Sequence, residues 1–257
     1  MGTSEIYSVL LALLFAVAAG LVGSYALMKR MLLASDVISH VALPGLGLAF
    51  LLHFNPLLGG GATLLIGTLL IWQLQKRTGL PTDAMIGVIF AASLALGAIL
   101  TPKEDLIDAL FGEFPVLSLP VFIAGLSAIL AIILFVWRFR YELVLNLFSP
   151  ELAASTGVNL ERLNLYFLLI FSLTVLVGLR TMGALLAGAL IIVPAATGRR
   201  FADSLPRFLI ASCAASLVAV AGGLSLSAYL FRGHNVGPTI VIVAAALFAL
   251  TLLRRPK

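Results

Sequence analysis

Charge is what this sequence has least of. Charged residues make up 11% of its 257 positions, sixteen Lys and Arg with eleven Asp and Glu, where a soluble chain this long would carry about 64. So few charges cannot cover a water-facing surface, which excludes a soluble enzyme. Thiols are nearly absent as well. The lone Cys213 rules out a disulfide framework and any metal site built from several thiolates. No low-complexity tail and no evident internal repeat occur. Three catalytic signatures are also missing: the G-x-x-x-x-G-K-[ST] phosphate loop, H-E-x-x-H and G-x-S-x-G. The chain therefore lacks P-loop machinery for ATP hydrolysis, and nothing marks an intramembrane hydrolase. If transport here is ATP-driven, the ATPase is another polypeptide.

What is present is hydrocarbon. Apolar residues reach 61%, against about 45–50% in an average soluble domain. They fall into nine segments, at 6–28, 31–54, 57–75, 83–101, 118–137, 163–180, 182–198, 207–230 and 238–253. A helix needs ~17–25 residues to cross a bilayer, so the expected fold is all-α: a polytopic transmembrane helical bundle forming one domain over 1–257. Met182–Gly198 is short and interrupted by Gly and Pro, as broken or re-entrant segments are. The expected count is thus eight or nine spans. Gly183, Gly188 and Gly222-Gly223 read as small residues at helix-packing faces. The first run is expected not to be a cleavable signal peptide, since no basic residue precedes it and Lys29-Arg30 follows it.

The net charge of +5 does not point to nucleic acid, because the basic residues punctuate the apolar runs instead of clustering on a face. Placing Lys29-Arg30 in the cytoplasm puts thirteen basic residues on that side (with Lys76, Arg77, Arg138, Arg140, Arg162, Arg199, Arg200, Arg207, Arg254, Arg255 and Lys257). Only Lys103, Arg180 and Arg232 fall outside. The positive-inside rule then gives an outside N-terminus and a cytoplasmic C-terminus.

Two connections are long. The outer one carries Glu104, Asp105, Asp108 and Glu113 before Pro115; these carboxylates could attract cations or a partner, or simply be solvated. The inner one, 138–162, predicts a short helix. Ser149 suits the N-cap, Pro150 the first helical position, and Glu151 the positive end of the helix dipole. Gly157 supplies a left-handed stop. Such a helix could dock a soluble partner or be an ordinary connector.

Ionisable groups within a membrane are costly and are functional candidates. The second segment has the clearest pair. Asp36 and His40 are spaced i, i+4 on one helix face, about 7 and 13 Å into the span from Met31. His40 thus lies near the middle of a core ~30 Å thick. Pro44 has no N–H, so the His40 carbonyl loses its helical partner and is free to bind a ligand. Imidazole with carboxylate suits Zn²⁺, Mn²⁺ or Fe²⁺ better than Cu⁺. One chain has one such pair, but two chains meeting on a two-fold axis would bring four ligands together. The other reading is an Asp–His hydrogen bond that holds helices. His53 at the outer end of that span, His234 in a short outer loop, and Asp83 as a helix cap after Pro81-Thr82 are weaker candidates.

The run Ser35-Asp36-Val37-Ile38-Ser39-His40-Val41-Ala42-Leu43-Pro44-Gly45 resembles the D-x-x-S-H-x-x-L-P-G motif of permease subunits from zinc- and manganese-importing ABC transporters. The resemblance continues through Leu110-Phe111-Gly112, Ser149-Pro150-Glu151-Leu152-Ala153 to Gly157, Ile191-Ile192-Val193-Pro194-Ala195-Ala196-Thr197, and Gly237-Pro238-Thr239-Ile240-Val241. These blocks run in family order over nearly the whole chain. Ser149 stands where Asp is common and Gly198 where Ala is. The resemblance implies that Asp36 and His40 line a metal pathway at the centre of a homodimer, and that Ser149–Gly157 is the coupling helix resting on an ATPase. It further implies an ATP-binding subunit, an extracytoplasmic metal-binding protein, no permanently bound cofactor, and residence in a bacterial inner membrane. The run from Ile191 to Phe201 looks more like zinc permeases, although no ligand separates zinc from manganese.

Overall fold

A chain this apolar must bond its backbone to itself, and it does so as helices. The computed structural model describes residues 3–31, 34–100, 117–230 and 236–253. In order these form α1 (Thr3–Met28), α2 (Ala34–Val41), α3 (Leu43–Leu51), α4 (Pro56–Thr78), α5 (Thr82–Leu100) and α6 (Leu119–Arg138). Then follow α7 (Arg140–Phe148), α8 (Pro150–Ser155), α9 (Leu160–Met182), α10 (Ala184–Phe201), α11 (Leu205–Leu230) and α12 (Val236–Leu252). No strand occurs among the described residues. The fold is all-α, as expected. Lys103, the four outer carboxylates, Leu110-Phe111-Gly112, Arg232, His234, Arg254, Arg255 and Lys257 lie outside the described residues.

Local chemistry sets the helix ends. The Asn55 side chain accepts a hydrogen bond from the Leu57 N–H, Pro56 opens α4, and Gly79 closes it in the left-handed region at φ 68°. Asn159 caps α9 by accepting from the Arg162 N–H at 3.0 Å. Each of the nine expected segments coincides with helix. Seven stretches are long and apolar enough to cross a membrane, with α2 and α3 counted together as one, and α12 is a shorter apolar helix of 17 residues. By that measure the described residues yield seven candidate spans, so the expected count of eight or nine is not confirmed.

Two segments differ from expectation. The second is broken. Pro44 cannot donate to the His40 carbonyl, and a proline ring clashes with that position in a continuous helix. The Ala42 N–H turns to the Ser39 carbonyl at 3.3 Å, and the Leu46 N–H restarts the ladder on Ala42 at 3.0 Å. The short segment near 182–198 is the opposite case. It belongs to an unbroken α10 with Pro194 inside it, and Gly183 is the joint before it, at φ 89°.

The core lies around α1, α10 and α11, which pack on one another. α10 also meets α2, α9 and α12, while α6 packs on α1 and α9. Helices α2 to α5 form a second group joined to the core through α10 and α9. Close approach depends on small residues. A Cβ on Gly20 would sit 2.9 Å from the Cys213 Cα and 3.0 Å from the Ser212 carbonyl oxygen. A Cβ on Gly223 would likewise run into the Ile240 backbone. Outward-facing side chains such as Ile99, Leu134 and Ile210 are exposed and apolar, as a lipid-facing surface requires.

This packing predicts opposite outcomes for two glycine replacements. Gly20→Ala must push α1 from the backbone of α11, at a cost of about 1–3 kcal/mol. Gly87→Ala meets nothing within 4 Å and should be neutral or stabilising by up to about 1 kcal/mol, since alanine is the better helix former. Thermal unfolding in detergent reads both, and equal shifts would remove close helix approach as the reason for Gly20.

Candidate metal site and the α7–α8 helix pair

Helix α2 has two faces. Ala34, Ser35, Ile38, Ser39 and Val41 are buried, against α4, α5, α9 and α10. Asp36 stands exposed on the single chain and His40 is half-buried. Gly188 of α10 lies behind Asp36, where a Cβ would rest 3.5 Å from the Asp36 Cα, an ordinary contact. The expected packing role of Gly188 therefore falls directly on the candidate ligand.

The two side chains do not satisfy each other. Among the described residues no hydrogen bond or ion pair joins Asp36 to His40. The His40 Nδ1 is buried with no hydrogen-bond partner, and its ring lies 5.6 Å from that of Phe90. The Ser39 hydroxyl donates to the Asp36 carbonyl at 2.6 Å, which holds the first turn of the broken span. A structural Asp–His bond is thus not made here. An unpaired buried imidazole nitrogen costs about 1–3 kcal/mol unless something binds to it, and a metal ion in transit is one such partner. A single chain supplies only this pair. No group of three or more His, Cys, Asp or Glu is gathered among the described residues, so further ligands would have to come from elsewhere.

The weaker candidates separate. His53 is exposed at the end of α3, in the left-handed region at φ 53°, where its N–H reaches the Phe50 carbonyl at 3.4 Å. It acts as a helix terminator well along the chain from His40. Asp83 is in the first turn of α5 and lines a cavity of about 890 Å³ together with Lys29, Arg30 and Arg199.

The inner connection holds two helices where one was expected. Besides α8 there is α7, with Leu143 fully buried and its Glu142 paired to Arg138 at 3.3 Å. Helical spacing of Leu143, Val144, Leu147 and Phe148 made α7 legible, although the sequence reading passed over it. At α8 the expectation fits. The Ser149 carbonyl accepts from the Ala153 N–H at 3.0 Å, as an N-cap carbonyl does. Pro150 opens the helix, Glu151 sits in its first turn, and Gly157 adopts φ 80°. Ala153 is buried, whereas Phe148 and Leu152 are 79% and 59% exposed. Two large apolar side chains therefore project from this pair.

A partly buried polar junction ties the end of α1 to α7 and α9, and spacing alone does not show it. Lys29, just past α1, donates to the Asn164 Oδ1 of α9 at 2.8 Å, and the Asn146 amide of α7 donates to the same oxygen at 3.2 Å. The ammonium also lies 4.5 Å from the centroid of the Phe167 ring. Burial pushes the Lys29 ammonium down to about 8. On sequence alone Lys29 looks like one more positive-inside residue. Asn164→Leu should leave that partly buried cation without its acceptor and lower stability by about 1–3 kcal/mol, whereas Asn164→Asp should retain it. Unfolding curves for the two variants check this, and a leucine variant as stable as wild type would reduce the junction to a surface contact.

A family model described as the ABC 3 transport family matches residues 5–255. The chain is 30% identical over 244 residues to the high-affinity zinc uptake system membrane protein ZnuB of Haemophilus influenzae, covering 91% of each. It is also 30% identical over 253 residues to the manganese import system permease protein ScaB of Streptococcus gordonii, covering 96% of this chain and 89% of that one. Its fold is similar to that of PsaBC from Streptococcus pneumoniae in complex with Fab, with a TM-score of 0.83 at 27% identity over all of this chain and 94% of that one. With a family match over nearly its whole length, the chain belongs to the ABC 3 transport family and is a membrane permease, not an ATPase.

Proposed function

We propose that this chain is the membrane-spanning permease subunit of an ATP-driven importer of divalent transition metal, with zinc favoured over manganese or iron. The observation that carries the reading is the free face of α2. It offers a carboxylate and an unpartnered imidazole in a member of a transport family whose relatives are named for zinc and for manganese. The preference for zinc rests on the run from Ile191 to Phe201. In this reading the metal is cargo and no cofactor stays bound. Asp36 and His40 from two copies of the chain form a transient four-ligand site. An extracytoplasmic metal-binding protein delivers the ion, and ATP-binding subunits below the homodimer drive its passage. The N-terminus lies outside and the C-terminus in the cytoplasm of a bacterial inner membrane. A proton-coupled secondary transporter using the same Asp/His pair is the alternative, and membership in an ABC family weighs against it.

Transport assays on the permease reconstituted with its ATPase separate these readings. Asp36→Asn and His40→Ala should each abolish ATP-dependent metal uptake while the complex still assembles, because each removes a ligand and not a packing group. His53→Ala should be nearly silent. Competition among zinc, manganese and iron ranks the cargo. Uptake driven by a pH gradient without ATPase would favour the alternative, and wild-type uptake by Asp36→Asn would make that carboxylate structural.

The helix α8, with Ser149, Pro150, Glu151, Leu152, Ala153 and Gly157, is proposed as the surface on which the ATPase rests. Exposed Leu152 and neighbouring Phe148 suit an apolar socket, and the junction of Asn146, Asn164 and Lys29 offers a stiff route from this surface toward α2. Gly157→Val would force a β-branched residue to positive φ at a cost of about 1–3 kcal/mol. Glu151→Lys would put a cation at a helix N-terminus. Both changes should lower transport-coupled ATP turnover while metal affinity survives. If the ATPase co-purifies and couples normally with both, docking occurs elsewhere, with the stretch Arg199–Arg207 next in line.

A further inference from the structure

An apolar groove of about 840 Å³ opens where α1, α6, α7 and α11 meet. Its walls include Tyr25, Trp137, Val144, Pro206 and Leu209, and one charged residue, Arg140, stands among them. That cation is held but not neutralised. Its guanidinium lies 5.4 Å from the Trp137 ring centroid and 4.6 Å from that of Tyr141, and it donates to the Tyr141 hydroxyl at 3.1 Å. Among the described residues no carboxylate pairs with it. Tyr25 adds a buried hydroxyl that has no hydrogen-bond partner.

The position of the groove matters as much as its lining. It lies at the Arg138 end of α6, where Trp137 and Tyr141 are largely exposed. Aromatic residues of this kind gather at the boundary between hydrocarbon and headgroups. A groove there meets acyl chains along its length and phosphates at its mouth. An arginine fixed by aromatic stacking presents a rigid fork that fits a phosphate in bidentate fashion.

We propose that this groove holds an anionic glycerophospholipid of the surrounding bilayer, its phosphate on Arg140 and one acyl chain along the apolar wall. The site needs only that the chain sits in a membrane, so it stands independently of the metal pathway. An occupant there would lie directly against α7, half of the helix pair.

Trp137 reports on it. The sequence has two tryptophans, so a Trp72→Phe background leaves Trp137 as the sole tryptophan, excited selectively at wavelengths that tyrosine does not absorb. The full chain is placed in phosphatidylcholine vesicles doped with equal mole fractions of dibrominated phosphatidylglycerol or dibrominated phosphatidylcholine. Quenching should show about a fivefold preference for the anionic lipid, the equivalent of ~1 kcal/mol for one arginine near the surface. Arg140→Gln should bring the preference to about one, and Val144→Phe, which fills the groove, should cut quenching by both lipids. Equal quenching by the two lipids in the Arg140 chain overturns the site, as does a preference that survives Arg140→Gln. Absence of quenching by either lipid overturns it too, by placing protein and not lipid over the groove. Intact-mass measurement of the unsubstituted chain extracted from a bacterial membrane supplies a check free of any variant. Bound anionic phospholipid should exceed bound zwitterionic phospholipid relative to the membrane's own composition, and parity overturns the proposal.

Discussion

Inside a bilayer no water is at hand to satisfy a peptide group, so each N–H and C=O must find its partner within the protein. That constraint makes this chain helical throughout its described length, and it also gives the one break in a span its meaning. Pro44 leaves the His40 carbonyl without its helical donor. The backbone recovers by a tight turn at Ala42, where the Ala42 N–H bonds to Ser39 and the Leu46 N–H bonds to Ala42. The Thr63 hydroxyl of α4 also reaches the Ala42 carbonyl at 3.4 Å. A break in mid-membrane is tolerated when neighbouring groups re-satisfy the backbone or when the break lines a polar path. Here the break falls two residues beyond an imidazole whose Nδ1 is unpartnered, so a carbonyl that has lost its helical donor and a free ring nitrogen belong to one residue.

The features that local chemistry dictates were legible in the sequence. Apolar runs locate the helices, and Asn55-Pro56 with Gly79 sets the ends of α4 as capping rules require. Pro150 and Gly157 bracket α8 for the same reason. What escaped depends on distant partners. Gly183 looks like a packing residue, yet it serves as the joint between α9 and α10, because only the folded backbone shows its positive φ. The run near 182–198 looks interrupted, yet α10 is continuous. Its neighbours on nearly every side hold it helical through Pro194, which intrinsic propensity alone would not do.

The candidate site divides along the same line. The spacing of Asp36 and His40 was enough to place both on one face of a helix. Whether that face is occupied by the chain itself is a tertiary matter, and the structure leaves Asp36 exposed while it half-buries His40 beside Phe90. Lys29 shows how charge patterning can mislead. It obeys the positive-inside bias, but its ammonium is bound by Asn164 and stacked on Phe167, and a residue 135 positions away cannot be inferred from spacing. His53 errs in the other direction. An imidazole at the end of the span with the candidate pair invites a functional reading, and its conformation marks a helix end.

The junction of Lys29, Asn146 and Asn164 gives the architecture a mechanical sense. In the proposed coupling, any signal between the α7–α8 pair and α2 would have to pass through packed elements with few loose joints. Four residues, 30 to 33, separate Lys29 from α2, and the first of them, Arg30, sits at φ 60°. One carbonyl oxygen on α9 that accepts from both an amide on α7 and the ammonium at the end of α1 makes displacement of α7 or of that end costly unless α9 follows. The neighbouring Lys76–Glu161 pair at 2.7 Å is more than half exposed at both ends and adds little by comparison. The two links thus hold α9 unequally, the less exposed one to the end of α1 and to α7 and the more exposed one to α4.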